Sequence, residues 1–92
     1  MAGQTRWAVV TGAAGGIGAA VARHLAKDGF AIMMQDLQPE ALEAAADRVR
    51  ALGGTAETMA GDAADPDHAR AVVEHAETLG RVDALVNVAG GS

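Results

Sequence analysis

The chain has 92 residues, half of them hydrophobic and 21% charged, with mean hydropathy +0.13, which fits one small folded domain and neither a disordered tail nor a membrane protein. Seven Lys and Arg against twelve Asp and Glu give a net charge of −5, the reverse of the basic patch that marks a nucleic-acid binder. Cysteine is absent and Trp7 and Phe30 are the aromatics, so disulfides and thiolate metal sites are excluded and the core is built from small and aliphatic side chains.

The first apolar run, Trp7 to Val10, reads as a strand and leads into Thr11-Gly12-Ala13-Ala14-Gly15-Gly16-Ile17-Gly18. A helix is predicted from Gly16 to Lys27, with Ile17, Val21 and Leu25 on one face and Gly29 as its stop. Phe30 to Met34 is a short apolar run bounded by Gly29 and Asp36. It reads as a buried strand in which Met33 and Met34 are core rather than a ligand pair. Pro39 opens a second helix, where a missing N–H costs nothing. Leu42, Ala45, Ala46, Val49 and Leu52 form its apolar stripe and Gly53-Gly54 ends it. Thr55 to Ala60 is a third strand, carrying the polar Glu57 and Thr58. Asp65-Pro66 supplies an N-cap acceptor and a first-turn proline for a third helix. Ala69, Val72, Val73, Ala76 and Leu79 are its buried stripe, and Gly80 ends it. The fourth strand is Ala84 to Ala89.

The order β-α-β-α-β-α-β, with near-continuous apolar strands and amphipathic helices, implies an α/β fold with a parallel sheet covered on both faces. Right-handed crossovers put the first two helices on one face. If the chain then doubles back, the third helix covers the other face and the strand order is 3-2-1-4, an incomplete Rossmann-like doubly wound sheet.

Between the first strand and first helix, the glycines meet the needs of an anion: free backbone N–H groups and the positive end of a helix dipole. Gly12, Gly16 and Gly18 are the candidates for a left-handed turn, close approach of backbone to pyrophosphate, and close helix–strand packing, and Gly15 adds to the second. Asp36 lies 18 residues after Gly18 at the end of the second strand, where a carboxylate accepts the hydroxyls of an adenosine ribose. A tight turn alone also favours glycine, and a methyl-donor site shares the glycine turn and ribose-binding acid. A P-loop is excluded, since no Gly-Lys-Ser/Thr follows.

At these residues the chain resembles the classical short-chain dehydrogenase/reductase family. Thr11-Gly12-x-x-x-Gly16-Ile17-Gly18 is similar to that family's cofactor loop, although Gly12, Gly15 and Gly18 also fit the spacing of its extended branch. The fourth strand decides: Leu85-Val86-Asn87-Val88-Ala89-Gly90 resembles the family's Asn-Asn-Ala-Gly signature, with Val88 in place of the second Asn. Gly61-Asp62-Ala63 resembles the segment that the family sets against the adenine, while Asp62 fits a turn equally well. The resemblance runs from about Arg6 to Gly90. It implies cofactor contacts from Gly12, Gly15, Gly16, Ile17, Gly18, Asp36, Asp62 and Ala63, and main-chain contacts from Asn87, Ala89 and Gly90. It also implies an oxidoreductase that moves hydride between a nicotinamide and a small alcohol or carbonyl substrate, and a homo-oligomer when complete. Side-chain support of the central strand by the signature's second Asn is not available from Val88.

In the family an acid at the position of Asp36 favours NAD over NADP. A carboxylate accepts from the 2′-OH, whereas a 2′-phosphate would bring like charge into a poorly screened cleft. NADP users place Arg or Lys in the glycine loop or just after the second strand, and here those positions are Gly15 and Leu37. The other reading of Asp36 is a helix-capping or plain surface acid, since Asp is common at such turns.

Other polar residues give weaker patterns. His24, His68 and His75 do not converge and read as surface or half-buried. Asp62, Asp65 and Asp67 lack the glycine and closing glutamate of a calcium loop. The start of the chain is unlike a signal peptide and no apolar run nears the ~20 residues of a membrane span, so a cytoplasmic protein is expected. The family's catalytic Ser and Tyr-x-x-x-Lys have no counterpart here: there is no Tyr, and Ser92 directly follows the signature. Residues 1–92 are therefore expected to be the N-terminal portion of one NAD(P)-binding domain, without catalytic residues of its own. The other reading is a truncated or split module that binds a nucleotide or a partner polypeptide. The apolar fourth strand, left at a sheet edge, favours the portion of a longer chain.

Overall fold

A computed structural model describes residues 5–88. The elements alternate strictly: β1 (Arg6–Thr11), α1 (Gly16–Lys27), β2 (Ala31–Asp36), α2 (Pro39–Ala51), β3 (Ala56–Ala60), α3 (Pro66–Leu79) and β4 (Arg81–Asn87). The strands form one parallel sheet in the order β3-β2-β1-β4, the expected Rossmann-like arrangement.

Alternation along β1 and β2 divides the core into two layers. Ala8, Val10, Ile32 and Met34 pack with Ala19 and Ala22 of α1 and with Leu42, Ala46 and Val49 of α2. Trp7, Val9, Ala31 and Met33 point the other way, onto Val72 and Ala76 of α3. Both central strands are buried on two faces, which is why their sequences lack polar alternation.

Several boundaries and stripes differ from expectation. In α1 the buried face is Gly18, Ala19 and Ala22, while Ile17 is 73% exposed. The sheet is met by the smallest side chains because the helix starts hard against β1. Leu52 is the residue after α2 rather than part of its stripe, and Leu79 ends α3; both are exposed. Phe30 and Thr55 lie just outside their strands, and the Arg6 guanidinium sits 4.5 Å above the Phe30 ring. Strand β4 begins at Arg81, three residues earlier than predicted, because Arg81 and Val82 already pair with Arg6 and Trp7 of β1; the register then slips between Trp7 and Ala8 and leaves Asp83 without an opposite residue. Gly29 (φ 96°) stops α1 in the left-handed region as expected. Gly80 is instead extended (φ 172°); a Cβ there would lie 2.5 Å from the Thr5 carbonyl oxygen and 2.7 Å from Trp7 Cδ1, so the close approach of that carbonyl and the indole is what demands glycine. The Asp65 side chain accepts from the Asp67 N–H at 3.0 Å and caps α3. Met33 and Met34 are fully buried core.

Candidate nucleotide site

Parallel β-strands carry their ligands beyond their C-terminal ends, where the chain order reverses. Here that place lies between β1, whose neighbours are β2 and β4, and the loops that follow all three. Gly12 leaves β1 at φ 69°, a backbone state that side-chain-bearing residues rarely adopt. A Cβ on it would also lie 2.7 Å from the Val88 carbonyl oxygen. At Gly18 a Cβ would run into the Gly12 carbonyl, whereas at Gly16 it would meet nothing within 4 Å. The three glycines thus differ in what their surroundings ask: a left-handed turn at Gly12, open space beside Gly16 and close packing at Gly18. Helix α1 begins at Gly16 behind an extended Gly15 N-cap, with no acid in its first turn, so its positive end faces the cleft.

Two adjoining hollows open there. The larger, of about 530 Å³, is lined by Gly12, Ala14, Gly15, Gly16, Ile17, Gly18, Asp36, Gln38, Ala41 and Val88. The smaller, of about 240 Å³, is lined by Gly12, Gln35, Asp36, Leu37, Gly61, Asp62, Ala63, Asn87 and Val88. Gly12, Asp36 and Val88 line both and mark their junction.

The Asp36 carboxylate lines both hollows and also holds the turn. Oδ2 accepts from the Ala14 N–H at 2.9 Å, and Oδ1 accepts from the N–H groups of Leu37 at 2.7 Å and Gln38 at 3.4 Å. Each carboxylate oxygen accepts about two hydrogen bonds, so Oδ2 keeps a lone pair for a ligand. Asp62 similarly accepts from the Ala64 N–H at 2.9 Å while lining the smaller hollow. The Asn87 Oδ1 accepts from the Thr11 hydroxyl at 2.6 Å, which ties the ends of β1 and β4 together. The Val88 N–H donates to the Thr11 carbonyl at 3.2 Å, so backbone holds this position although valine offers no polar side chain. Of the sequence-derived site residues, Gly12, Gly15, Gly16, Ile17, Gly18, Asp36, Asp62, Ala63 and Asn87 converge on the two hollows. Ala89 and Gly90 lie outside the described residues.

Sequence reasoning missed Gln35, Gln38 and Ala41, which also line the hollows. Gln35 is 2% exposed inside an apolar strand, and that polarity was the signal available. His24 and His75 are exposed and His68 is half-buried. Among the described residues no group of three or more His, Cys, Asp or Glu could hold a metal ion, and no helix is long and apolar enough to cross a membrane.

A glycine turn, a bare helix start and an acid at the tip of the neighbouring strand, on a 3-2-1-4 parallel sheet, define a Rossmann-like α/β domain. The family model described as short chain dehydrogenase matches residues 6–92, and the chain belongs to that family. It is 44% identical over 85 residues to an uncharacterized oxidoreductase of Methylorubrum extorquens, covering 90% of this chain and 34% of that protein. It is 40% identical over 91 residues to the 1-deoxy-11-beta-hydroxypentalenate dehydrogenase of Streptomyces arenae, covering 98% of this chain and 32% of the relative. The crystal structure of a metagenomic short-chain oxidoreductase in complex with NADP superposes with a TM-score of 0.85 at 40% identity, over 94% of this chain and 39% of that one. The chain spans about a third of the length of the curated relatives it matches.

Proposed function

We propose that residues 1–92 are the dinucleotide-holding front portion of a nicotinamide-dependent oxidoreductase that passes hydride between the cofactor and a small alcohol or carbonyl substrate. The observation that carries this reading is the open cradle at Gly16: the helix start is bare, a Cβ there would project into unfilled space, and Asp36 stands at the junction of the two hollows. In this arrangement the N–H groups at the start of α1 face the pyrophosphate and the Asp36 carboxylate takes the adenosine ribose. Gly61, Asp62 and Ala63 border the adenine, and the main chain at Asn87 meets the cofactor riboses. The bound nicotinamide supplies the hydride chemistry. Proton transfer, which asks for a positioned acid/base group, falls to the part of the relatives' length that this chain does not span. Assembly into a homo-oligomer belongs to the same whole protein.

NAD is the preferred cofactor on this reading. Asp36 lines both hollows and the next residue is the exposed Leu37 rather than a cation, so a 2′-phosphate would meet a carboxylate without a positive partner. The structural relative bound to NADP shows that the same fold accommodates the phosphorylated cofactor, which makes the local charge the deciding quantity.

The reading is tested with Gly16→Val in the full-length protein. A β-branched side chain at that point occupies the space of the approaching pyrophosphate. NAD affinity measured by calorimetry should fall by at least about two decades, ~2.7 kcal/mol, while the far-UV spectrum stays that of the parent. A folded variant with unchanged affinity overturns the assignment.

A further inference from the structure

Gln35 is the buried polar residue of the sheet, 2% exposed among the core of β2, and its amide joins three separate loops or elements. Its Oε1 faces the Gly12 N–H at 3.4 Å, its Nε2 donates to the Gly61 carbonyl at 2.6 Å, and the same Nε2 lies 3.3 Å from His68 Nε2. Its own carbonyl accepts from the Ala13 N–H at 2.8 Å. A backbone N–H can only donate and a backbone carbonyl can only accept, so Gly12 and Gly61 together allow one orientation of this amide. The second amide hydrogen then points at His68 Nε2, which acts as the acceptor. The His68 ring in turn lies over Gly61 so closely that a Cβ on that glycine would be 2.6 Å from Nδ1.

These contacts sit at the floor of the smaller hollow, whose walls are the Gly12 turn on one side and the Gly61-Asp62-Ala63 loop on the other. Both walls hang from one side chain. We infer that Gln35, oriented by His68, is a positioning residue that sets the spacing of the adenine-side lobe and hence the affinity for the adenosine half of the cofactor. This inference rests on the dinucleotide reading given above and adds the part of the ligand that the smaller hollow takes. Glutamine is required because its amide donates and accepts at the same end. A glutamate would turn a carboxylate oxygen toward the Gly61 carbonyl, and an apolar side chain would leave both loop groups unpaired.

The experiment is calorimetric titration of the full-length protein with NAD and with ADP-ribose, for wild type, Gln35→Met and His68→Ala. Methionine keeps the length and burial but breaks the links to Gly12 and Gly61. The dissociation constants for NAD and ADP-ribose should both rise about tenfold, by the same factor, at unchanged stoichiometry. His68→Ala leaves the Gln35–Gly61 bond but removes the partner that orients it, and should weaken both ligands about threefold. A purely structural role would lower the binding-competent fraction and leave the dissociation constant alone. The inference is overturned if Gln35→Met binds both ligands as wild type does, if only the stoichiometry falls, or if NAD weakens while ADP-ribose does not. Should Gln35→Met fail to fold, wild-type affinity in His68→Ala overturns it. A wild-type protein that binds neither ligand overturns the underlying cofactor reading instead.

Discussion

At Gly18 an added Cβ would run into the Gly12 carbonyl, whereas at Gly16 it would meet no atom within 4 Å. The two glycines therefore answer different demands, one from the fold and one from the ligand. Gly18→Ala should destabilise the full-length protein by about 1–3 kcal/mol, the range of forced overpacking, seen as a lowered melting temperature. Gly16→Val should leave the melting temperature nearly unchanged and act on cofactor affinity. Equal loss of stability in both would contradict this division. The spacing of these glycines and the distance to Asp36 were legible in the sequence because each follows from one local need. What Asp36 does with its oxygens was not: they accept from the N–H groups of Ala14, Leu37 and Gln38, which joins the two loops without capping α2. Gln35 was illegible for another reason. A single polar residue in an apolar strand has no periodic pattern, and its partners are Gly12, Gly61 and His68, far from it in the chain.

Among the elements, the alternation of strands and helices was legible throughout, and the misses fall at element ends. Ile17, Leu52 and Leu79 match a helical stripe by spacing, yet each sits in a first turn, at a last residue or just past one, where the backbone no longer holds the side chain on the core face. The Asp65 cap behaves as its chemistry dictates, and Asp65→Ala should cost about 1 kcal/mol, measured by chemical denaturation. Helix α2 is tied to β3 by polar groups: Arg50 pairs with Glu43 and Asp47 and donates to the Ala56 carbonyl, and the Thr58 hydroxyl donates to Glu43. The Arg50 hydrogen bond, and then that from Thr58, hold the Glu43 carboxyl below its ordinary range. A carboxylate lowered in the folded state adds stability that is full above its unfolded pKa and lost as pH falls through the folded one. Glu43→Gln should therefore lower stability slightly at neutral pH and flatten the acid side of the stability–pH curve by the same amount, small because the pair is exposed and screened. An unaltered acid limb in thermal melts would show that the pair contributes nothing.

On the scale of the whole molecule, the two faces of the sheet are unequally covered. Among the described residues, helices α1 and α2 pack on one and α3 alone on the other, and β4 forms an edge on which Leu85 is 62% exposed. An unpaired edge with apolar side chains invites pairing with other chains. A polypeptide of residues 1–92 expressed alone should run as associated species in size-exclusion chromatography and show no hydride transfer to any alcohol. A sharp monomeric peak with a cooperative melt would contradict this. The strand order was legible from the sequence because few topologies satisfy right-handed crossovers with these short connections. The bulge at Asp83 was not, since it depends on how β4 meets β1.

The most direct measurement is the pair of dissociation constants for NAD and NADP, taken by calorimetry on the full-length wild type and on Asp36→Ala. With the carboxylate at the ribose, wild type should bind NAD more tightly than NADP. Loss of its charge-assisted hydrogen bonds, about 1.5–3 kcal/mol, should weaken NAD by one to two decades and narrow the gap between the cofactors. A wild type that prefers NADP, or an Asp36→Ala variant that keeps both constants, would contradict the account.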